Sequence, residues 1–336
     1  MKEVAVKVQY PGLSEMLQAD LVTVRNICRV TKRFFPETDL EWIVDELEEN
    51  LSSELNFESE GNRADRVRSN FAHKSHQVST PTIVWSATTK KILTMEFIRG
   101  VKVNDIEGLL AAKIDPLRVA SLVIETLSEM IFIHGEVHLD PHPGNIFVVP
   151  GPKLVLLDHG LYRDLDEDFR INHCRLWKAV VMNNEKSMKE AATCLGVGRF
   201  YRVFPVLFAF RRWNSQRSFT TDITPAERKL IASDIQRVRF ADIARFLGNM
   251  PRDLLLVFRT IDLVRSVNRV LGGTTSERLG IMLDYAVRGS YYHLDLPNLP
   301  HDRQTLPHIK SFLDRIRMIW ELVVIQCSLF LLRLTT

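Results

Sequence analysis

Residues 137–148 read VHLDPHPGNIFV, and residues 156–160 read LLDHG. The first run has the form H-x-D-x-x-x-x-N and the second the form D-x-G, a pair typical of the catalytic loop and the metal-binding segment of phosphotransferases. In that pattern one aspartate lies beside the attacking hydroxyl group, while an asparagine and a second aspartate bind the metal ions that bridge the nucleotide phosphates. Asp140, Asn145 and Asp158 occupy these three positions.

The residue types in these two runs suit that chemistry. Mg²⁺ prefers oxygen ligands, and Asn145 and Asp158 supply them. Gly144 allows the tight turn that we expect to bring Asn145 back towards the carboxylate of Asp140. The flanking residues 146–149 and 153–157 are apolar and largely β-branched, and Pro150-Gly151-Pro152 separates them. This pattern predicts a β-hairpin that holds the loop in place.

Two other interpretations compete for the same loop. His138, Asp140 and His142 alternate as side chains on a strand do, and imidazole and carboxylate groups suit zinc or iron. The prolines between them interrupt strand geometry, however, and a zinc site leaves Asp158 unexplained. An ordinary polar surface loop is the second alternative, which the apolar strands on both sides of the loop disfavour.

A kinase-like site also requires a lysine on an upstream strand and a glutamate on a helix that orients this lysine. Val4-Ala5-Val6-Lys7-Val8 provides the strand and the lysine, and the polar, helix-like residues 54–62 offer several carboxylates. We select Glu60 as the partner of Lys7. A lysine on an edge strand is common for other reasons, so Lys7 gains weight only in combination with the downstream motifs.

Together with Met95-Glu96-Phe97-Ile98-Arg99-Gly100, these motifs resemble the UbiB/ABC1 (aarF-domain-containing) family of atypical kinase-like proteins. The resemblance covers about residues 4–198, and the histidine of the second motif resembles the aarF-domain-containing kinase 1 branch. In this family extra helices lengthen the segment between the lysine and the glutamate. Helix-like residues 13–35 and 39–51 fill that segment here.

The resemblance implies a role for each matching residue. Lys7 would contact the α and β phosphates of ATP, and Glu60 would pair with Lys7. Asp140 would be the acid of the catalytic loop, and Asn145 and Asp158 would hold Mg²⁺.

The same resemblance implies that Glu96 and Phe97 form the hinge that meets the adenine. It further implies ATP hydrolysis or phosphotransfer connected with mitochondrial lipid or ubiquinone homeostasis, and association with membrane lipid.

Two features depart from the family pattern. Asn56 stands where the family usually has the aspartate of its E-x-D motif. The family's K-x-G-Q segment and its alanine-rich phosphate loop should precede Lys7, and neither is present in these residues. We therefore expect the small lobe to be truncated at its N-terminus and the sequence to be a fragment, an alternative start or an incomplete gene product.

Composition indicates a globular protein and excludes little else. The 336 residues are 46% hydrophobic and 25% charged, and the net charge of +3 is too small to indicate a nucleic-acid partner. The four cysteines are widely spaced and form no C-x-x-C pair, which argues against a zinc site or a disulfide framework.

The chain after Gly160 is predicted to be mostly helical. Helices are expected from the acidic residues 166–168 onwards and over 225–240, 251–271 and 276–290, and the proline-rich residues 294–307 read as a linker. Residues 318–332 are apolar but shorter than the roughly 20 residues that a spanning helix needs. They predict a packed or interfacial helix, and the family resemblance favours contact with a bilayer.

The sequence thus predicts an α+β, kinase-like, two-lobed fold. Residues 1–100 would form a partial small lobe, 101–295 a helical large lobe with the catalytic loop, and 296–336 a linker and an apolar helix. Two alternatives for the function remain open. One is a small-molecule kinase of the aminoglycoside or choline kinase type, and the other is a catalytically silent binding protein, because the phosphate loop is absent.

Overall fold

A computed structural model describes residues 3–34, 44–45, 48, 55–209, 229, 250–293, 308–309 and 311–334. The chain divides into two compact units. The first unit contains residues 1–100 and 155–161, and the second contains residues 101–154 and 162–336.

The described elements of the first unit include a pair of antiparallel strands and two helices. Its elements are β1 (Val4–Val8), α1 (Leu13–Phe34), α2 (Phe57–Asn70), β2 (Val78–Ser79) and β3 (Ile92–Glu96), with 3₁₀ turns at Ala72–Lys74 and Trp85–Ala87. Strands β1 and β3 are antiparallel, and Lys7 lies opposite Leu93. Because side chains alternate along a strand, the valines of β1 point outwards and Lys7 lies on the half-buried face.

Helix α2 carries the predicted partner of Lys7. Phe57 and Ala64 pack with Leu93 of β3 in one buried cluster. Glu60 lies between them on the same face of the helix, since residues three and four positions apart are neighbours on a helix surface. The helical repeat therefore directs a carboxylate into an apolar core.

The second unit is mostly helical. Its elements are β4 (Val101–Lys102), α3 (Ile106–Ala111), α4 (Pro116–Glu129), a π turn (Met130–His134), β5 (Glu136–His138), β6 (Ile146–Val149), β8 (Tyr162–Asp164), α5 (Glu167–Val181), α6 (Glu185–Cys194), α7 (Phe204–Ala209), α8 (Arg252–Val270), α9 (Thr275–Gly289), β9 (Tyr292–His293), β10 (His308–Ile309) and α10 (Phe312–Leu334). Strand β7 (Lys153–Leu156) begins in this unit and ends in the first. Among the described residues, strand β4 pairs antiparallel with β6, β5 with β8, and β9 with β10, and β7 lies beside β6 in the same sheet.

Most of the predicted elements are confirmed. Strand β1 has the predicted bounds, α1 ends one residue early, and α8 and α9 lie within one residue of the predicted helices. Strands β6 and β7 are neighbours in one sheet, as the predicted hairpin requires. The predicted helix over 225–240 and the linker over 294–307 lie outside the described residues, apart from residue 229, and the helix over 39–51 lies largely outside them.

The predicted C-terminal helix is present as α10, which is longer than expected and spans 23 residues. Within the described part of the chain, no helix combines the length and the apolar character needed to cross a bilayer.

Arg170 joins several elements of the second unit. Its side chain is fully buried, and its guanidinium group donates hydrogen bonds of 2.7 Å to the backbone carbonyls of Phe132 and Gly289. A further bond goes to the carbonyl of Tyr292, and Glu167 supplies the counter-charge at 2.9 Å. Helix α5 thereby holds the π turn, the end of α9 and strand β9 through one cation. Arginine suits this position because it offers five donors in a rigid plane.

His173 is another buried polar group in this core. It stacks against Phe132 at 5.5 Å and Phe169 at 6.0 Å between ring centroids, and Phe208 meets it edge-on at 5.9 Å. Neither ring nitrogen has a hydrogen-bond partner among the residues that the structure describes. Burial lowers the pKa of His173 to about 3, so the imidazole is neutral and acts as an aromatic core residue.

This burial predicts a loss of stability in acid. Between pH 6.5 and about 3 the unfolded chain binds a proton at His173 and the folded chain does not, so the free energy of unfolding should fall as the pH falls through this range. His173→Phe should remove that part of the pH dependence and stabilise the protein by about 1 kcal/mol, because no unpaired ring nitrogens remain. Urea denaturation at pH 7.5 and pH 5 measures both effects. The control is His76→Gln, which changes an exposed histidine. If the free energy of unfolding of His173→Phe depended on pH as strongly as that of the unchanged protein, the assignment of this dependence to His173 would be wrong.

Candidate active site

Lys7, Glu60 and Asp158 come together in the first unit, although 53 residues separate Lys7 from Glu60. The ammonium nitrogen of Lys7 lies 2.9 Å and 3.0 Å from the two carboxylate oxygens of Glu60. The same nitrogen is 3.7 Å from Oδ1 of Asp158 and 5.2 Å from the ring centroid of Phe57. One cation therefore joins β1, α2 and the D-x-G segment.

The three charged groups differ in their exposure to solvent. The side chain of Glu60 is 3% exposed, whereas those of Lys7 and Asp158 are both 39% exposed. Burial raises the pKa of Glu60, the positive charge of Lys7 opposes that rise, and the negative charge of Asp158 adds to it. The backbone N–H of His159 also donates to Glu60. The buried carboxylate is thus tied both to the lysine and to the D-x-G segment.

The D-x-G segment is held by its own hydrogen bonds. The amide of Gly160 donates to Oδ1 of Asp158 at 3.0 Å, which closes a local turn around the carboxylate. His159 is buried, and its Nε2 lies 3.0 Å from the carbonyl oxygen of Leu156, which can only accept. The turn fixes the direction of the Asp158 side chain and leaves part of its carboxylate in solvent.

In the second unit, His138 supports the catalytic loop from inside the protein. Its ring stacks on Tyr162 with a centroid distance of 4.7 Å, and its Nδ1 accepts a hydrogen bond of 3.3 Å from the amide of Asp140. The hydroxyl group of Thr260 in α8 donates to the carbonyl of His138 at 2.8 Å. A strand and a helix thereby fix the backbone directly before Asp140.

Asp140 and Asn145 also lie close together, through a contact that differs from the expected one. The side-chain amide of Asn145 donates to the backbone carbonyl of Asp140 at 3.3 Å, not to its carboxylate. The turn between them is closed by the bond from the amide of Asn145 to the carbonyl of His142, 2.8 Å long. This arrangement leaves the carboxylate of Asp140 available for other contacts.

The alternative of a zinc or iron triad has little geometric support. The ring of His138 is occupied by Tyr162 and by the amide of Asp140, and Nδ1 of His142 accepts from the amide of Gly144 at 3.1 Å. In the portion of the chain that the structure describes, no group of three or more His, Cys, Asp or Glu side chains is placed to hold a metal ion.

The two predicted hinge residues lie at the end of β3 and directly after it. The carboxylate of Glu96 accepts hydrogen bonds from the hydroxyl group of Thr82 at 2.8 Å and from its backbone N–H at 3.2 Å. Phe97 is 50% exposed. The side chain of Glu96 is therefore engaged within the first unit.

Asn56 has a role that the sequence reasoning did not identify. Its side-chain oxygen accepts from the amides of Glu58 and Ser59 at 3.1 Å and 3.4 Å, so Asn56 is the N-cap of α2. Asn and Asp are about equally good N-caps. The signal was available, because a capping residue stood directly before a helical stretch that is acidic in its first turn.

Comparison with known proteins assigns this arrangement to a family. The sequence model of the family described as the ABC1 atypical kinase-like domain matches residues 1–192. A protein named putative ABC1 protein At2g40090 from Arabidopsis thaliana is 37% identical over 291 residues, which are 80% of this chain and 54% of the relative. The AarF domain-containing protein kinase 1 of Xenopus laevis is 34% identical over 82% of this chain and 54% of its own length. The chain thus spans about half the length of these curated relatives.

A solved structure shows the same fold at a greater distance. Rv3197 from Mycobacterium tuberculosis, determined in complex with erythromycin, has a TM-score of 0.58 and 22% identity, and the match covers 81% of this chain and 68% of that one. With the family match, this likeness confirms the predicted α+β kinase-like fold and the predicted family.

The ion pair of Lys7 predicts a specific effect on stability. Lys7→Met should lower the free energy of unfolding by about 1–3 kcal/mol, because it leaves the carboxylate of Glu60 buried without its cation. Adding Glu60→Gln should recover most of the lost stability, since the uncompensated charge is then removed. The exposed Arg99–Glu3 pair, 2.6 Å apart in the same unit, is the control, and Arg99→Met should cost less than about 0.5 kcal/mol. Additive losses in the double variant, measured by urea denaturation, would show that the pair does not act as a unit.

Proposed function

This chain belongs to the ABC1 atypical kinase-like family, and from that premise we propose that it binds Mg–ATP and acts as an ATPase or phosphotransferase. The observation that best supports the proposal is the convergence of Lys7, Glu60 and Asp158 within one compact unit. A lysine, a helical glutamate and a D-x-G aspartate are the parts that a kinase-like protein needs for holding a nucleotide.

In the proposed role, Lys7 binds the α and β phosphates and Glu60 keeps its ammonium group in place. The pairing restricts the side chain of Lys7 before any ligand arrives, which lowers the entropy cost of binding. Lys7 keeps 39% of its surface in solvent, so its ammonium group can still reach a phosphate. Glu60 is too buried to meet a ligand, which fits an orienting role.

Asp140 is proposed to accept the proton of the attacking hydroxyl group, and Asn145 and Asp158 to bind metal. The side-chain oxygens of Asn145 and Asp158 are hard donors of the kind that Mg²⁺ prefers, and both residues are accessible in part. Mg²⁺, when bound, neutralises charge on the transferred phosphoryl group. The backbone bonds from His138 and Asn145 would hold Asp140 in a fixed position.

Further parts of the proposal rest on the family resemblance. Glu96 and Phe97 would meet the adenine, and residues 1–100, 101–295 and 296–336 would be the small lobe, the large lobe and a C-terminal linker with helix. We also propose a mitochondrial location, a role in lipid or ubiquinone homeostasis, and contact of α10 with membrane lipid. Apolar side chains of α10 support the last point, since Phe312 and Trp320 are 75% and 67% exposed.

Nucleotide binding is tested by thermal stability. Saturating Mg–ATP should raise the melting temperature by roughly 5 °C, because a ligand that binds only the folded state stabilises it. Asp158→Asn should abolish the Mg²⁺-dependent part of that rise. Asp140→Asn should keep the rise but lower ATP turnover by about 100-fold or more.

A matched control is Asp284→Asn, which removes a carboxylate from an ion pair with Arg288 in α9. This variant should respond to Mg–ATP as the unchanged protein does. Equal stabilisation of Asp158→Asn and Asp284→Asn would contradict the assignment of Asp158, and no response in the unchanged protein would contradict nucleotide binding by this chain.

A second candidate function has one specific observation in its favour. The helical unit contains a cavity of about 480 Å³ at the start of α5, lined by Asp166, Glu167, Asp168, Phe169, Asn172, Cys194 and Leu195. Glu167 is paired with Arg170, so Asp166 and Asp168 supply the remaining negative charge. An acidic cavity with an aromatic wall suits a cationic acceptor, as in small-molecule kinases of the aminoglycoside or choline kinase type. Rv3197, the solved relative, was determined with a small organic molecule.

This candidate predicts phosphorylation of a cationic acceptor such as choline or an aminoglycoside. Replacing both Asp166 and Asp168 by Asn should raise the KM for the acceptor about tenfold and leave the KM for ATP unchanged. The comparison acceptor is a neutral alcohol of similar size. An equal change for both acceptors, or no transfer to either, would rule out the acidic cavity as an acceptor site.

A further inference from the structure

Residues 80–88, called the clamp segment below, run between strand β3 and helix α2 of the first unit. On the side of β3, the amide of Val84 donates to the carbonyl of Thr94, and the amide of Glu96 donates to the carbonyl of Thr82, both at 2.8 Å. These bonds make the segment an extension of the β3 ladder. The clamp segment is therefore fixed to the same strand that pairs with the strand of Lys7.

On the other side, three side-chain contacts fix the clamp segment to α2. The hydroxyl group of Thr80 donates to the carbonyl of Ala64 at 3.0 Å. Arg68 donates to the carbonyls of Thr80 and Pro81. The indole Nε1 of Trp85 donates to Oδ2 of Asp65 at 2.9 Å.

The indole ring of Trp85 also lies directly on the backbone of α2. A Cβ atom added at Gly61 would be 2.9 Å from Cη2 of Trp85 and 3.5 Å from the side chain of Ile83. Only glycine permits this approach without a shift of the ring. Gly61 follows Glu60 directly, so Trp85 contacts the helix beside the residue that holds Lys7.

The contacts of α2 fall on two faces of the helix. Phe57, Glu60 and Ala64 lie on the face towards the buried cluster. This cluster also contains Ile83 of the clamp segment. Gly61 and Asp65 each lie one residue after a member of this face, about 100° around the axis, and both meet Trp85. Contacts at both positions oppose rotation of the helix about its axis.

Rotation matters here because the core-facing stripe of α2 includes a carboxylate. Burial of Glu60 is unfavourable, as its raised pKa indicates, and a modest rotation would return this carboxylate to water. Apolar packing alone gives a polar helix of 14 residues little resistance to such a rotation. A second contact is needed to oppose it.

We propose that the clamp segment fixes the rotation of α2 and thereby holds Glu60 against Lys7, with Trp85 as the positioning residue. Trp85 acts through the helix and does not touch Lys7. The significance of the clamp for catalysis rests on the proposed function, whereas the effect on the ion pair does not.

The state of the ion pair can be measured without any nucleotide. Limited acetylation of the folded protein, followed by mass spectrometry, gives the reaction rate of Lys7 relative to the exposed Lys90 and Lys91 in the same sample. Opening of the pair frees the Lys7 amine to react. Trp85→Phe removes the bond to Asp65 and the outer ring atoms that lie on Gly61, whereas Gly61→Ala keeps the tryptophan and displaces its indole ring.

Both variants should raise the relative rate at Lys7 about tenfold, which corresponds to the loss of one hydrogen bond to a charged group. Thr23→Val is the matched control, because the hydroxyl group of Thr23 bonds to the carbonyl of Ala19 within α1 and contacts neither α2 nor the clamp segment through this bond. Its relative rate should stay at the wild-type value.

An unchanged rate at Lys7 in folded Trp85→Phe and Gly61→Ala would overturn the proposal. An equal increase at Lys7 in the control variant would also overturn it, since it would indicate general destabilisation of the unit. Because no ligand takes part, failure of this test and failure of nucleotide binding are distinguishable.

Discussion

The burial of one carboxylate constrains the whole first unit. Glu60 lies in the apolar stripe of α2, where an ionised group is costly unless a cation meets it. Lys7 meets that need from β1, and the D-x-G segment adds a backbone donor. A strand, a helix and a distant loop must therefore be in place together. In the proposed function the same groups bind the nucleotide, so folding and preorganisation of the site would depend on the same contacts.

The second unit buries a charged group of the opposite sign. Arg170 is a fully buried cation whose donors are taken up by backbone carbonyls and by Glu167. Its bonds reach the π turn that precedes β5, and the hydroxyl group of Thr260 donates to the carbonyl of His138 in β5 itself. The catalytic loop is consequently supported by a layer of fixed polar contacts, and its position does not rely on apolar packing alone.

Sequence motifs predicted many of the contacts in this site. The contacts that they did not predict depend on packing between segments that are distant in the sequence. Lys7 and Glu60 were paired from the kinase pattern, and the structure places them in contact. The strand and helix bounds followed from β-branched runs and apolar periodicity. The burial of Arg170 was not predictable, because an arginine in an amphipathic helix normally faces water and its carbonyl partners are brought there by three other segments. Asn145 contacted a backbone carbonyl where a carboxylate was expected, since side-chain motifs do not specify main-chain geometry.

The π turn at Met130–His134 has a consequence for insertions and deletions. A π turn accommodates one residue more than the α-helical repeat does, and here it leads through Gly135, at a φ of 67°, into the strand of His138. A one-residue deletion inside the turn would therefore be absorbed by conversion of the turn to ordinary helix, which leaves the following strand in place. A deletion between Gly135 and His138 has no such reserve, because strand side chains alternate and His138 would then face the opposite side of β5. The two sides of Gly135 should thus differ sharply in their tolerance of a lost residue.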